Sequence, residues 1–334
     1  MHPRSPVSIR LHLDVAVRRF PIAGGFRISR GAKTEAEVVE VRVRGAGHCG
    51  RGEAVPYARY GASVGSVVAA LEGMADGDLD TLRRGWSGLT CSVARNALDG
   101  ALIDWACRFR GRSVAHILGV SPPVPVVTAF TLSVDTPEKM AARARCEQHR
   151  RLFKLKVRGD DDDLARVEAV HRACPDTPLI VDANEGWTLA RYRREARGLA
   201  SLGVVLLEQP LPADADHVLH GEPRPVPLCA DESFLERRQL PALRDRYDAV
   251  NVKLDKVGGL TEAIPVIEEA EACGLDVMLG CNVCSSLGVA PLFHLAPRAA
   301  YVDLDGPLLL EEDRPNGVTE RDGLLHPPKL WGIG

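Results

Sequence analysis

The stretch LFKLKV, residues 152–157, reads as a strand and carries Lys154 and Lys156. Two positions apart on a strand, they point to the same side. Further along, apolar runs end in acids: PLIVDAN brings Asp182, GVVLLEQP brings Glu208 and VPLCADE brings Asp231. The next run, AVNVKLD, brings Lys253. Three converging carboxylates suit a hard cation, and Mg2+ fits best because it keeps octahedral positions for water and substrate oxygens. Any one strand-end acid is more often a helix cap than a ligand, but three in succession weaken that reading. Lysines on either side of such a metal suit proton transfer at a carbon next to a carboxylate. A cation chelating that carboxylate stabilises the enediolate formed when the proton leaves. A lysine base must be partly neutral, with its pKa lowered to roughly 7–8, and a neighbouring cation lowers it by disfavouring the charged form. One lysine of the pair is then the base and the other tunes it. The plainer reading of LFKLKV, an edge strand with a solvated lysine face, loses weight because the run belongs to a repeat.

That repeat consists of eight short apolar runs: VVTAFTL at 126, LFKLKV at 152, PLIVDAN at 178, GVVLLEQP at 203, VPLCADE at 226, AVNVKLD at 249, LDVMLGC at 275 and AYVDLDGP at 300. The segments between them have helical patterning. Continuous rather than alternating apolar character is expected of parallel strands covered on both faces. Lys156, Asp182, Glu208, Asp231 and Lys253 stand 26, 26, 23 and 22 residues apart, one βα unit per step. Eight such runs predict an α/β fold, a (β/α)7β TIM-type barrel, whose site lies at the C-terminal strand ends. Lys156 and Lys253, on the second and sixth strands, would face a substrate from opposite sides. Upstream, residues 7–17 and 37–44 alternate with period two and predict antiparallel strands. Residues 91–110 predict a helix, and SPPVP at 121–125 marks a boundary.

The chain has 334 residues, enough for a barrel with an added domain. Lys and Arg number 42 against 45 Asp and Glu, and the arginines are scattered, so nucleic acid is not an expected partner. The first twenty residues hold no unbroken apolar core, so neither a secretory signal nor a membrane span is expected. Nine scattered cysteines read as reduced thiols of a cytoplasmic protein. Cys281 and Cys284 form one CxxC, weak evidence for zinc, which wants four ligands.

Together, FKLKV, VDANEGW, LLEQPL, CADES and NVKLDKVGG resemble the enolase superfamily, muconate-lactonizing subgroup. FRISRG at 26–31, GEAVPYARYG at 52–61 and ARNALDGALIDW at 94–105 resemble that subgroup's capping domain. The resemblance implies an α+β capping domain over 1–122, joined by the C-terminal segment 308–334, and a barrel over 123–307. It makes Lys156 and Lys253 the acid/base pair, Asp182, Glu208 and Asp231 the ligands of one Mg2+ per subunit, and Lys154, Lys256, Asn184 and Glu232 supporting residues.

YVDLDGP places Asp303 and Asp305 two apart, so both face the mouth. Two buried carboxylates repel unless a cation arrives, and a substrate ammonium would supply it. The plainer reading is a helix cap or turn before Gly306. This DxD resembles the dipeptide epimerases, isomerases in which the pair holds the ammonium of a dipeptide. The resemblance therefore implies Mg2+-dependent epimerisation of the second residue of L-Ala-D/L-Glu, in keeping with cell-wall peptide recycling. Arg30 matches an arginine that reads an acidic side chain in Ala-Glu epimerases, a task suited to a guanidinium; Arg59 is a second candidate. Thr128 and Thr131 are expected to line the floor. Asn282 stands where many relatives carry Met, which leaves the first dipeptide residue open. The alternatives are N-acylamino acid racemisation, o-succinylbenzoate synthesis and muconate cycloisomerisation, and, more remotely, a noncatalytic dipeptide-binding barrel. A homo-oligomer is left open.

Overall fold

The computed structural model describes residues 9–28 and 31–333. Strands β1 (His12–Ile28), β2 (Gly31–Gly45) and β3 (His48–Ala54) form an antiparallel sheet. The alternating run at 7–17 overlaps β1 and that at 37–44 lies in β2. Helices α1 (Val64–Glu72), α2 (Leu79–Gly88) and α3 (Ser92–Arg110) pack on this sheet, α3 filling the helix expected at 91–110. The sequence CGRGE in β3 explains how closely α3 lies. A Cβ on Gly50 would come within 2.2 Å of the Ala101 carbonyl, and one on Gly52 within 2.0 Å of the Ala97 carbonyl. Only glycine leaves room for helix backbone against strand backbone.

Each of the eight apolar runs contains one strand: β4 (Phe130–Leu132), β5 (Phe153–Lys156), β6 (Leu179–Asp182), β7 (Val204–Glu208), β8 (Leu228–Ala230), β9 (Ala249–Val252), β10 (Asp276–Gly280) and β11 (Tyr301–Asp303). They lie side by side in chain order as one parallel sheet. The ends meet where the Ala129 N–H donates to the Val302 carbonyl at 2.8 Å and the Leu304 N–H to Thr128 Oγ1 at 2.8 Å. Inside, Ile180, Leu206, Cys229 and Met278 fill the barrel; outside, a larger apolar layer packs against the helices. Burial on both faces is why the runs carry no polar alternation. One connection departs from the expected helix: between β7 and β8 only a 3-10 turn, Asp216–Leu219, forms. Pro210, Pro212, Pro223, Pro225 and Pro227 stand in that segment, and proline removes the N–H a helix needs.

After β11 the chain leaves the barrel. Strands β12 (Thr319–Arg321) and β13 (Leu324–His326) form a hairpin, and Leu325 pairs with Val126. The Glu311 N–H then bonds the Pro21 carbonyl at 2.9 Å, and Trp331 Nε1 bonds the Gly100 carbonyl at 3.0 Å. The C-terminal segment thereby touches both the β1–β3 sheet and α3.

Candidate active site

The C-terminal ends of the barrel strands and the edge of the β1–β3 domain enclose a cavity of about 270 Å3. Lys154, Lys156, Asp231, Lys253, Asp303 and Asp305 line its barrel side. Phe26, Lys33, Val55 and Tyr57 line the opposite side. The strand register explains the clustering. Lys156 pairs with Asp182, and Asp182 with Glu208, so the charged residues form one rung across β5, β6 and β7.

Lys156 Nζ lies 2.5 Å from Asp182 Oδ2. Lys253 Nζ lies 2.7 Å from Asp231 Oδ2. Lys256 Nζ holds the other Asp231 oxygen and the Asp231 carbonyl, both at 2.9 Å. Lys154, fully enclosed, is caged by Glu208 Oε2 at 2.6 Å, Asp303 Oδ2 at 2.7 Å and Asp182 Oδ2 at 3.1 Å. Three carboxylates surround Lys154, so its charge is balanced within the site rather than presented to Lys156 alone. Burial works against the Lys154 charge, but Asp303, Glu208 and Asp182 outweigh it and hold its pKa well above the ordinary range. Lys253 is raised likewise, Asp231 outweighing burial. In this arrangement, neither of these two lysines approaches the pKa near 7 expected of a base.

The acids respond in kind. Burial opposes the Asp182 charge, but Lys156 and Lys154 hold its carboxyl down at about 2. Asp231 is also lowered, Lys253 and Lys256 overcoming burial. Glu208 is raised by burial and by the Asp182 charge beside it. Its Oε1 accepts from Asn251 Nδ2 at 2.8 Å, whereas its buried Oε2 has no hydrogen bond of good geometry. Among the described residues no three acids stand as an assembled ligand cluster, because ammonium groups bridge them. Three hard oxygen donors on neighbouring strand ends, one incompletely satisfied, nevertheless fit a divalent cation in kind and number.

Asp303 ends β11, whereas Asp305 has helical backbone and precedes the 3-10 turn Gly306–Leu309, so the two do not share a strand as expected; both are buried. Asp303 Oδ1 has no hydrogen-bond partner. Asp305 Oδ2 accepts from the Thr131 N–H at 2.6 Å, and burial together with Asp303 pushes its pKa up to about 7. One lysine, Lys154, meets the pair, through Asp303 Oδ2, so Asp303 Oδ1 is left for a further donor such as a substrate ammonium.

The other predicted residues divide. Thr131 lines the cavity and holds Asp305 through its backbone. Thr128 does not line it; its hydroxyl accepts from the Leu304 N–H and helps join the two ends of the sheet. Asn184 and Glu232 line it, 3.4 Å apart, and the Asn184 N–H bonds Asp182 Oδ1 at 2.9 Å. Asn184 and Glu185 both take positive φ, 42° and 68°, a strained turn directly after a ligand candidate. Asn282 lines the cavity, and its Nδ2 donates to Asp255 Oδ2 at 2.9 Å. Arg59 does not line it; its guanidinium grips both Glu185 oxygens, at 2.6 and 3.0 Å. Arg30 lies outside the described residues. All nine cysteines are free thiols, and Cys281 lines the cavity.

Several positioning residues escaped the sequence reading. Gln209 Oε1 accepts from the N–H groups of Asp231 and Ser233, both at 3.0 Å, and so fixes the loop carrying Asp231. Asn251, on β9, stands two before Lys253, which directly follows the strand, a spacing that could have flagged it. Asp255 accepts from the Val55 N–H at 3.1 Å and Asn96 Nδ2 at 2.8 Å, joining the barrel to the β1–β3 domain.

Comparisons with known proteins agree with this geometry. The model of the enolase C-terminal domain-like family matches residues 138–334. The chain is 40% identical to an L-Ala-D/L-Glu epimerase of Escherichia coli, covering 92% of this chain and 97% of that protein. It is 42% identical to an N-acetyl-D-glutamate racemase of a Pseudoalteromonas species, covering 85% and 91%. Among solved structures, an enolase family member from Agrobacterium tumefaciens, described as homologous to dipeptide epimerases and holding sodium and L-Ala-L-Glu, is 43% identical with a TM-score of 0.89, covering 96% of this chain and all of that one. A dipeptide epimerase from Methylococcus capsulatus, complexed with Mg and L-Arg-D-Lys, is 30% identical with a TM-score of 0.89, covering 98% and 99%. The shared barrel, the motif order on its strand ends and this similarity along nearly the whole chain lead to one conclusion: the protein belongs to the enolase C-terminal domain-like family.

Proposed function

We propose that the protein is an isomerase that inverts the α-carbon of the second residue of a dipeptide, with L-Ala-D/L-Glu as substrate. The observation that carries this reading is the placement of a buried Asp303/Asp305 pair, with Asp303 Oδ1 free of hydrogen bonds, beside two lysines from opposite strands. The acids receive the substrate ammonium. The α-carbon then lies between Lys156 and Lys253. One lysine removes its proton from one face and the other returns a proton to the opposite face. The reverse reaction exchanges their roles. Asp182, Glu208 and Asp231 would hold one Mg2+. When bound, the cation draws charge from the substrate carboxylate and so acidifies the neighbouring C–H. Lys154, Lys256, Asn184 and Glu232 keep the acids in place. The capping side excludes water. Nine free thiols support a reducing, cytoplasmic setting, and recycling of cell-wall peptides is the role that this substrate suggests.

A second reading rests on the 42% identity to an N-acetyl-D-glutamate racemase. There the α-nitrogen carries an acetyl group and no ammonium, while the inverted residue is again glutamate. Both substrates use the same lysines. They differ in what Asp303 and Asp305 must bind.

The test is mass spectrometry in D2O with Mg2+, on L-Ala-L-Glu and N-acetyl-L-glutamate in parallel. The epimerase reading expects one deuteron at the glutamate α-carbon of the dipeptide, lost on chelation of the metal. Exchange in N-acetylglutamate alone would replace the first reading with the second. No exchange in either would reject both.

A further inference from the structure

The CxxC of the sequence has no place in the reaction described above, yet the fold sets it in the cavity wall. The β1–β3 domain forms the roof of that cavity, and the loop following β10 forms part of its side. Cys281, Asn282 and Val283 of this loop all line the cavity, as do Asp303, Asp305 and Gly306. Cys281 is half-buried there, whereas Cys284 is 2% exposed. Both cysteines also border one small recess behind the wall, together with Glu53, Asp255 and Asn282.

The loop is tied down between its two sulfurs and just beyond them. Asn282 Nδ2 donates to Asp255 Oδ2 at 2.9 Å, and the Ser285 N–H donates to Glu53 Oε1 at 2.9 Å. The loop also packs closely on the turn after Asp305. A Cβ on Gly306 would lie 2.7 Å from the Asn282 carbonyl oxygen and 3.1 Å from both Cys281 Sγ and the Cys284 nitrogen. One point in space thus meets the first sulfur and the backbone of the second cysteine, which places the two thiols within reach of each other. Hydrogen bonding to Cys281, ahead of burial, pushes the Cys284 thiol well above its ordinary range. Cys284 therefore rests as the protonated partner of the more accessible Cys281.

We propose that Cys281 and Cys284 form a dithiol modification site: a low-molecular-weight disulfide reaching Cys281 through the cavity converts the pair to an internal disulfide, and the altered wall no longer admits substrate. The chemistry is thiol–disulfide exchange. The Cys281 thiolate, its proton released to solvent, attacks one sulfur of the disulfide RSSR. The S–S bond breaks, and the departing thiolate takes up a proton as RSH. Cys284 then loses its proton and attacks the Cys281 sulfur of the mixed disulfide, and a second RSH leaves. Two protein thiols are oxidised and one RSSR is reduced to two RSH. The new bond holds the sulfurs about 2 Å apart. It closes a ring around Asn282 and Val283, the two cavity-lining residues between them. That ring pulls against the bond from Asn282 to Asp255 and shifts the wall beside Asp305. Excess thiol reverses the exchange. The loss of turnover rests on the reading under Proposed function; the disulfide itself does not.

The experiment treats reduced wild type with 2-hydroxyethyl disulfide, blocks the remaining thiols by alkylation and maps the digest by mass spectrometry. Expected is a bond between Cys281 and Cys284, while the exposed Cys146 carries a mixed disulfide. Turnover is followed in parallel as α-deuteron incorporation with Mg2+, on whichever of L-Ala-L-Glu and N-acetyl-L-glutamate the reduced enzyme uses. Its kcat/KM should fall roughly 10- to 100-fold on oxidation, mainly through KM, and recover with dithiothreitol. Cys146→Ser should respond in the same way. Cys284→Ser, a buried change outside the cavity lining, should turn over normally when reduced and should trap a stable mixed disulfide on Cys281. A mixed disulfide alone at Cys281 in wild type, or no reaction there, overturns the dithiol site. The internal bond with an unchanged kcat/KM overturns its control of the wall. Reduced wild type inactive on both substrates overturns the parent reading and the loss of turnover with it, while the mapped bond still decides the dithiol site.

Discussion

At the scale of single residues, the sequence showed the lysines and acids because barrel strands are apolar and a charge inside one stands out. It did not show how those charges pair. Lys154 and Lys156 share a strand face, yet Lys154 is caged by acids from three other strands while Lys156 meets Asp182. That difference depends on barrel closure, which no local spacing reveals. Replacing Lys156 or Lys253 by Ala should lower epimerisation by roughly 10^2- to 10^4-fold and leave the far-ultraviolet circular dichroism unchanged. Wild-type turnover in either variant would end the two-lysine mechanism. Asp305 makes a second, pH-dependent prediction. Its carboxyl, facing Asp303, Lys154 and Thr131, is raised to about 7. It is neutral below that pH and charged above it. Capture of an ammonium should therefore strengthen as pH rises through 7. kcat/KM for L-Ala-L-Glu should climb over that range relative to N-acetyl-L-glutamate, and Asp305→Asn should flatten the ratio. Parallel pH profiles for the two substrates in wild type would remove Asp305 from amine binding.

At the scale of elements, α3 and the helix over residues 260–272 meet through one carboxylate. Asp99 Oδ2 accepts from the Thr261 N–H at 3.0 Å, and Oδ1 accepts from its hydroxyl at 2.6 Å. The side chain thus caps a barrel helix from another domain. The GG of KVGG makes this approach feasible: a Cβ on Gly259, at φ 112°, would lie 2.5 Å from Asp99 Oδ2. Burial raises the Asp99 pKa to about 6, despite the two bonds from Thr261. Its folded value therefore exceeds the ordinary 3.8, and the native state holds the proton more tightly. That contribution is fully present below about pH 4 and is lost as pH rises through 6, on the order of 3 kcal/mol in all. Asp99→Asn should remove this component, so the wild-type-minus-variant difference in urea unfolding free energy should shrink between pH 4 and pH 7. A difference independent of pH would show that Asp99 is not the titrating group. Neither this cap nor the Gly50 and Gly52 contacts were legible beforehand. Strand and helix were each clear from their own period, but the partner of Asp99 lies 162 residues away, beyond any pattern of spacing. FRISRG and PYARYG pointed to the capping side, but not to Phe26 and Lys33 as cavity-lining residues, because only the register of β1 on β2 sets the face they share.

At the scale of the whole molecule, the question is what holds the roof onto the barrel, since the cavity exists only between them. Arg314, in the C-terminal segment, is one residue that touches both sides. Its guanidinium reaches Glu40 of β2 at 2.6 Å, Glu53 of β3 at 2.7 Å and, through Nε, the Ser285 hydroxyl beyond β10 at 2.6 Å. The Ser285 N–H adds a bond to Glu53 at 2.9 Å. Glu53 and Glu40 are both fully buried. Burial opposes both charges; at Glu40, Arg314 and Arg42 outweigh it and lower the pKa, whereas at Glu53 burial prevails and raises it. Removing one partner of such a buried set leaves uncompensated charge and costs about 3–5 kcal/mol. Arg314→Leu should lose that much in urea unfolding. It should also raise KM on every substrate alike, because the sheet carrying Phe26 and Lys33 is no longer pinned. A triple variant, Arg314→Leu with Glu40→Gln and Glu53→Gln, removes the stranded charges and should recover most of the stability. It should not recover the KM, since the bond to Ser285 is still missing. A loss below about 1 kcal/mol in Arg314→Leu would mean that the segment merely lies across the two domains. Equal recovery of stability and KM in the triple variant would mean that charge balance, rather than the bridge to Ser285, sets the position of the roof.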